Sequence, residues 1–172
     1  LLNNNGHEVT VWSVLKDEIK MLNEKREHTK SLPGVKIPES IVFSDNLEAV
    51  LADPDIVVLA VASPYTRSTA HMMSPHVKEG QIIVNVGKGI EETTLETLCH
   101  VVEDEIPQAQ VAVLSGPSHA EEVGRGIPTT CVVGTRKKAN EEFIQNVFMS
   151  NVFRVYTSPD MLGICLGGSL KT

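Results

Sequence analysis

The chain has 172 residues, 41% of them apolar, and a formal charge of −7. That length allows one full-sized domain with an ordinary core, whereas two would be cramped. An acidic surface repels phosphate backbones and anionic membranes, so neither nucleic acid nor membrane is an expected partner, and an anionic ligand must be met by a few placed cations.

The opening "LLNNNG" reads as the end of a helix, with Leu1 and Leu2 in its last apolar turn and Gly6 as the C-cap. Short apolar runs follow at His7 to Ser13, Ile41 to Phe43, Ile56 to Ala62, Gln81 to Val86, Gln110 to Ser115, Thr129 to Gly134 and Phe153 to Thr157. Each is bounded by turn residues, and each predicts a strand. Helix starts are expected at Ser63-Pro64, as N-cap and N1, and at Thr93-x-x-Glu96, a capping box ahead of Leu95, Leu98, Val101 and Val102. The alternation of strand and helix, with strands apolar on both faces, predicts an α/β, doubly wound, mostly parallel sheet.

The longest apolar run, Ile56 to Ala62, is too short to span a bilayer. Cys99, Cys131 and Cys165 are odd in number and far apart, without metal-ligand spacing. They are expected to be core thiols of a cytoplasmic protein, and no metal is expected. A nucleotide fold of this kind begins with a strand and a glycine-rich turn that holds a pyrophosphate. No G-x-G-x-x-G is present, so the chain reads as starting inside that motif.

Three segments place polar or glycine residues just beyond a strand's carboxyl end, where open α/β sheets bind ligands. "VASPYTR", Val61 to Arg67, suits an ordinary strand-to-helix turn. In "NVGKGIE", Asn85 to Glu91, a lysine stands between two glycines that weaken any regular element. They let the backbone approach a ligand while Lys88 offers an ammonium; the bland alternative is a solvated turn lysine. "SGPSHAEEVGRG", Ser115 to Gly126, reads as a helix start with free N–H groups suited to a phosphate, although Glu121 and Glu122 already complement the dipole there.

Together these segments resemble the NAD(P)-dependent glycerol-3-phosphate dehydrogenases, particularly the bacterial type. The matching stretches include "NGHEVTVWS", "LPGVKIPESI", "VLAVASPYTRST", "IIVNVGKGIE", "VAVLSGPSHAEEVGRGIPTT" and the terminal "LGGSLKT", in the family's order along nearly the whole chain. The resemblance implies a Rossmann-like fold and reversible reduction of dihydroxyacetone phosphate to sn-glycerol 3-phosphate in glycerophospholipid precursor synthesis. It implies that Lys88 contacts substrate and cofactor, that Gly116 and Ser118 line the substrate site, and that Ser13, Tyr65 and Ala120 lie against the dinucleotide. Lys171 matches the family's catalytic lysine, which accepts the proton when the alcohol is oxidised and, with Lys88, completes the catalytic pair. The family also implies a homodimer.

By that resemblance, residues 1–160 form the NAD(P)-binding domain and residues 161–172 begin a helical substrate domain. The first strand, the glycine-rich loop and most of the helical domain are expected to lie outside the chain, leaving the 172 residues alone nearly inactive. Departures from the family pattern include Thr172 for a usual asparagine and Ser169 for a usual alanine. Val14 and Leu15 stand where a basic residue commonly reads the 2′-phosphate of NADP, which favours NAD over NADP. The rival expectation is a non-catalytic α/β module that binds a nucleotide or a protein.

Overall fold

All seven apolar runs form strands in the computed structural model, which describes residues 1–170. The strands are β1 (Thr10–Trp12), β2 (Val42–Ser44), β3 (Val57–Leu59), β4 (Ile82–Asn85), β5 (Gln110–Ser115), β6 (Thr129–Thr135) and β7 (Phe153–Thr157). The helices are α1 (Lys16–Lys25), α2 (Leu47–Val50), α3 (Thr66–Met73), α4 (Leu98–Glu105), α5 (Ala120–Gly124), α6 (Lys138–Phe148) and α7 (Met161–Ser169). A five-stranded sheet runs β3-β4-β5-β6-β7, parallel throughout except between β5 and β6. Strands β1 and β2 form a separate parallel pair. Among the described residues no ladder joins β1 to β3, so each of these strands keeps one unpaired edge.

The pleat assigns alternate residues to opposite layers. Ile83, Val111 and Val113 face a core built with Ala70 and Met73 of α3, Cys99 and Val102 of α4, and Cys165 of α7. Val84, Ala112, Leu114, Val133 and Val155 face a second core with Ile144 and Phe148 of α6, against which Leu1 and Leu2 pack. Helices therefore cover both faces, and central side chains such as Ile83, Val84, Val133 and Val155 are fully buried. Each such burial stabilises by about 1.5–3 kcal/mol relative to exposure.

Gly6 closes the first turn as expected, at φ 92° with its N–H on the Asn3 carbonyl, although the turn is a short 3-10 segment. Two expected helix starts are displaced. The N-cap before α3 is not Ser63, because Ser63 begins a 3-10 turn whose N-cap is Ala62. Ser63 packs against Gly89 instead: a Cβ on Gly89 would lie 2.9 Å from the Ser63 Cβ.

The capping box at Thr93 does not form either. Thr94 Oγ1 donates to Glu91 Oε2 at 2.6 Å, the Glu91 N–H donates to the Glu96 carbonyl at 2.9 Å, and Leu95 adopts φ 62° with its side chain exposed. These contacts hold residues 91–96 as a loop, so α4 begins later, with Thr97 as its cap accepting from the His100 N–H at 3.4 Å. Thr97→Ala should therefore cost about 0.5–1 kcal/mol, whereas Thr93→Ala should leave the denaturant midpoint unchanged. Equal shifts for the two variants would show that the cap is wrongly placed.

Candidate functional site

The carboxyl ends of β4 and β5 lie side by side because the strands pair in parallel, with Asn85 opposite Val113. Their following loops consequently share one edge of the sheet. Lys88 crosses from the first loop to the second: its Nζ donates to the Gly116 carbonyl at 3.0 Å and the Ser118 carbonyl at 2.9 Å, and lies 3.4 Å from Ser118 Oγ. An ammonium has three donors, so it can serve several acceptors of the two loops at once. The hydroxyl contact is the longest of the three, and is the one a ligand oxygen could replace at least cost.

Gly116 is required by its surroundings. A Cβ there would lie 2.6 Å from the Thr130 carbonyl oxygen and 2.9 Å from the Cys131 Cα, both backbone atoms of β6. Gly87 is held by Asn85, which is buried: the Gly87 N–H donates to Asn85 Oδ1 and Asn85 Nδ2 donates to the Gly87 carbonyl, both at 3.2 Å. Gly89 adopts φ 130°, a region that disfavours residues with a Cβ.

Two supports come from distant sequence. Ser169, near the end of α7, accepts from the Gly89 N–H at 3.2 Å and lies 2.9 Å from the Gly89 carbonyl and 2.8 Å from the Cys165 carbonyl, between which its single proton is shared. Arg67, at the start of α3, makes a bidentate pair with Glu91 at 2.8 and 2.7 Å and also reaches Glu105 at 2.9 Å and Glu96 at 3.3 Å. His71 joins Glu105 at 3.0 Å. The Arg67 guanidinium, then Thr94, hold the Glu91 carboxyl down at about 2, and Arg67 followed by His71 lowers that of Glu105. The same carboxylates raise the pKa of Arg67.

Lys88, Gly116 and Ser118 are thus brought together. Ala120 opens α5, a five-residue helix whose N-cap, His119, makes no side-chain capping bond; the expected phosphate-binding helix start is a single short turn. Ser118, expected at that start, turns its hydroxyl toward Lys88. Tyr65 lies past β3 with its side chain 64% exposed, and Ser13 lies past β1, its hydroxyl accepting from the Leu15 N–H at 3.2 Å. Lys171 lies outside the described residues. The sequence reading gave no role to Arg67, Asn85 or Glu91 and read Ser169 only as a departure. Among the described residues no group of three His, Cys, Asp or Glu side chains could hold a metal, and no helix is long and apolar enough to cross a membrane.

A parallel-dominated sheet covered by helices on both faces, with its polar loops gathered at the strands' carboxyl ends, defines a Rossmann-like domain. The family model described as the NAD-dependent glycerol-3-phosphate dehydrogenase N-terminus matches residues 1–141. The chain belongs to that family. A glycerol-3-phosphate dehydrogenase [NAD(P)+] of Agathobacter rectalis is 61% identical over 171 residues, covering 99% of this chain and 51% of the relative. Its counterpart in Fusobacterium nucleatum is 50% identical, covering 99% and 52%. A crystal structure of glycerol-3-phosphate dehydrogenase from Coxiella burnetii superposes with a TM-score of 0.91 at 27% identity, covering 97% of this chain and 51% of that one. The chain spans about half the length of the curated relatives it matches.

Proposed function

We propose that this chain supplies the nucleotide-binding half of an oxidoreductase that interconverts sn-glycerol 3-phosphate and dihydroxyacetone phosphate with NAD(P)(H), in the supply of glycerophospholipid precursors. The observation that carries the proposal is the Lys88 ammonium, held by the Gly116 and Ser118 carbonyls at the shared carboxyl edge of β4 and β5. In this reading residues 1–160 are the nucleotide domain and α7 opens a helical substrate domain. The residues at the edge suit the cofactor: Tyr65 offers an exposed ring, and Gly116 keeps the backbone free of a side chain beside Lys88. A bound nicotinamide would supply the hydride. Ser13, Tyr65 and Ala120 would hold the dinucleotide, while Gly116 and Ser118 line the substrate.

Lys88 would exchange its longest contact, to Ser118 Oγ, for a substrate oxygen. As negative charge grows on the ketone oxygen, that ammonium stabilises it, and Lys171 delivers the proton; general acid catalysis of this kind contributes about 10²–10⁴ in rate. In the oxidative direction Lys171 must be neutral, and a second cation on the same substrate, Lys88, favours the neutral form. Val14 and Leu15 present apolar, exposed side chains just past β1, and Lys16 is 3.9 Å from Asp45, an arrangement that supports NAD over NADP.

The test is a graft of these residues in place of the matching region of the Agathobacter rectalis relative. The grafted enzyme should reduce dihydroxyacetone phosphate, with NADH preferred over NADPH. Lys88→Met should lower kcat by about 10²–10⁴ and shift the pH profile of glycerol 3-phosphate oxidation upward. The 172-residue chain alone should turn over at least about 10² more slowly than the graft, because the parts that orient the substrate are separate from it. A graft whose activity and pH profile are indifferent to Lys88→Met would overturn the assignment, and normal turnover by the chain alone would overturn the division of labour.

A further inference from the structure

Cys99 on α4 and Cys165 on α7 are separated by 66 positions in sequence, yet their Sγ atoms lie 3.5 Å apart in the core between the two helices. Cys131 belongs to the core on the other face of the sheet. Cys99 is 2% exposed and Cys165 is 9% exposed, so the pair has one deeper and one shallower member. Both are wired to the loop that carries Lys88: Asn85 Nδ2, which also donates to the Gly87 carbonyl, lies 3.8 Å from Cys99 Sγ, and the Cys165 carbonyl lies 2.8 Å from the Ser169 hydroxyl that contacts Gly89.

We propose that Cys99 and Cys165 are a dithiol modification site, which a small hydroperoxide converts to a disulfide that ties α7 to α4 behind the Lys88 loop. Closing the bond requires the sulfurs to approach from 3.5 Å to about 2.05 Å, a movement within reach of side-chain rotation and a small helix shift. Cys165 is the attacking thiol. Its contact with Cys99 lowers its pKa, whereas the contact with Cys165 and burial raise that of Cys99. The Cys165 thiolate attacks the peroxide; its S–O bond forms as the O–O bond breaks, and the leaving oxygen departs as water or alcohol after taking a proton. Cys99 Sγ then attacks the Cys165 sulfur, forming S–S and breaking S–O, and the hydroxyl leaves as water with the Cys99 proton. The two thiols lose two electrons and the peroxide gains them. Oxidation then acts on Gly89 through Ser169 and on Gly87 through Asn85.

The experiment is treatment of the purified chain with a modest excess of hydrogen peroxide, followed by denaturation, alkylation and peptide mass spectrometry. Two of the three cysteines should become unreactive to alkylation, with a mass loss of about 2 Da, a Cys99–Cys165 linked peptide, and full recovery with a dithiol reductant. Cys131 should stay alkylatable. In Cys99→Ser the resolving thiol is gone, so a dione reagent should capture a sulfenic acid at Cys165; retained circular dichroism confirms that the variant is folded. Three alkylatable thiols after treatment, a cross-link through Cys131, or sulfinic acid at Cys165 without a cross-link would each overturn the proposal.

Discussion

Gly116→Ala should destabilise the protein by about 3 kcal/mol, because the new methyl would be driven into backbone, which cannot rotate away. The methyl would sit 2.6 Å from the Thr130 carbonyl oxygen and 2.9 Å from the Cys131 Cα. Relief requires moving β6 away from β5, along a ladder that includes the Leu114–Val133 and Ser115–Val132 pairs. For a chain of this size the expected fall in melting temperature is about 6–12 °C. Gly167→Ala is the natural comparison: it lies within α7, and a Cβ there has nothing within 4 Å. That change should be neutral or stabilising by up to about 1 kcal/mol, since alanine is the better helix former. If the two variants melt together, crowding at Gly116 is not what fixes that residue.

Arg67→Ala should give the second large effect, with a signature in pH. The guanidinium is surrounded by carboxylates: Glu91 and Glu105 within 2.9 Å, Glu96 at 3.3 Å and Asp104 at 3.7 Å. Removing it leaves these anions facing one another, and near neutral pH the melting temperature should fall by on the order of 5 °C. In the parent protein the folded-state pKa of Glu91 is depressed to about 2, by the Arg67 hydrogen bonds foremost, from an ordinary 4.5. A depressed carboxyl pKa contributes stability that is fully present above the unfolded value and is lost as pH falls through the folded one. The parent should therefore lose this contribution between about pH 4.5 and 2. In Arg67→Ala the Arg67 contribution is absent at every pH and the carboxylates repel one another, so mild acid relieves their repulsion and the gap between the two melting curves should narrow as pH falls. Parallel curves across that range would remove Arg67 from its place in the network.

The strands were legible because both faces of the sheet are covered, so each left a short, continuous apolar run in the sequence. Lys88, Gly116 and Ser118 were expected at one site only through the family resemblance; the parallel pairing of β4 and β5, which brings their following loops to one edge, is visible only in the fold. What escaped detection depends on separation along the chain. Arg67 meets Glu91 across 24 residues and Ser169 meets Gly89 across 80, and no local pattern records such pairs. Thr93 failed for the opposite reason: its capping-box spacing is a local rule, and the Thr94, Glu91 and Arg67 contacts overrode it. Gly116 was expected to line the substrate site, yet its necessity comes from the backbone of Thr130 and Cys131 on β6.

The uneven burial of the strands bears on how the molecule comes apart. The β1–β2 pair is joined by three residue pairings, and all six of its residues are exposed or only half-buried. Strands β4 to β7, by contrast, hold the fully buried residues Ile83, Val84, Ala112, Val133 and Val155. Cooperativity should divide along that line. Amides of β1 and β2 should exchange with solvent through a low-energy opening that leaves β4 to β7 intact, and unfolding followed at Trp12 should precede the loss of overall ellipticity.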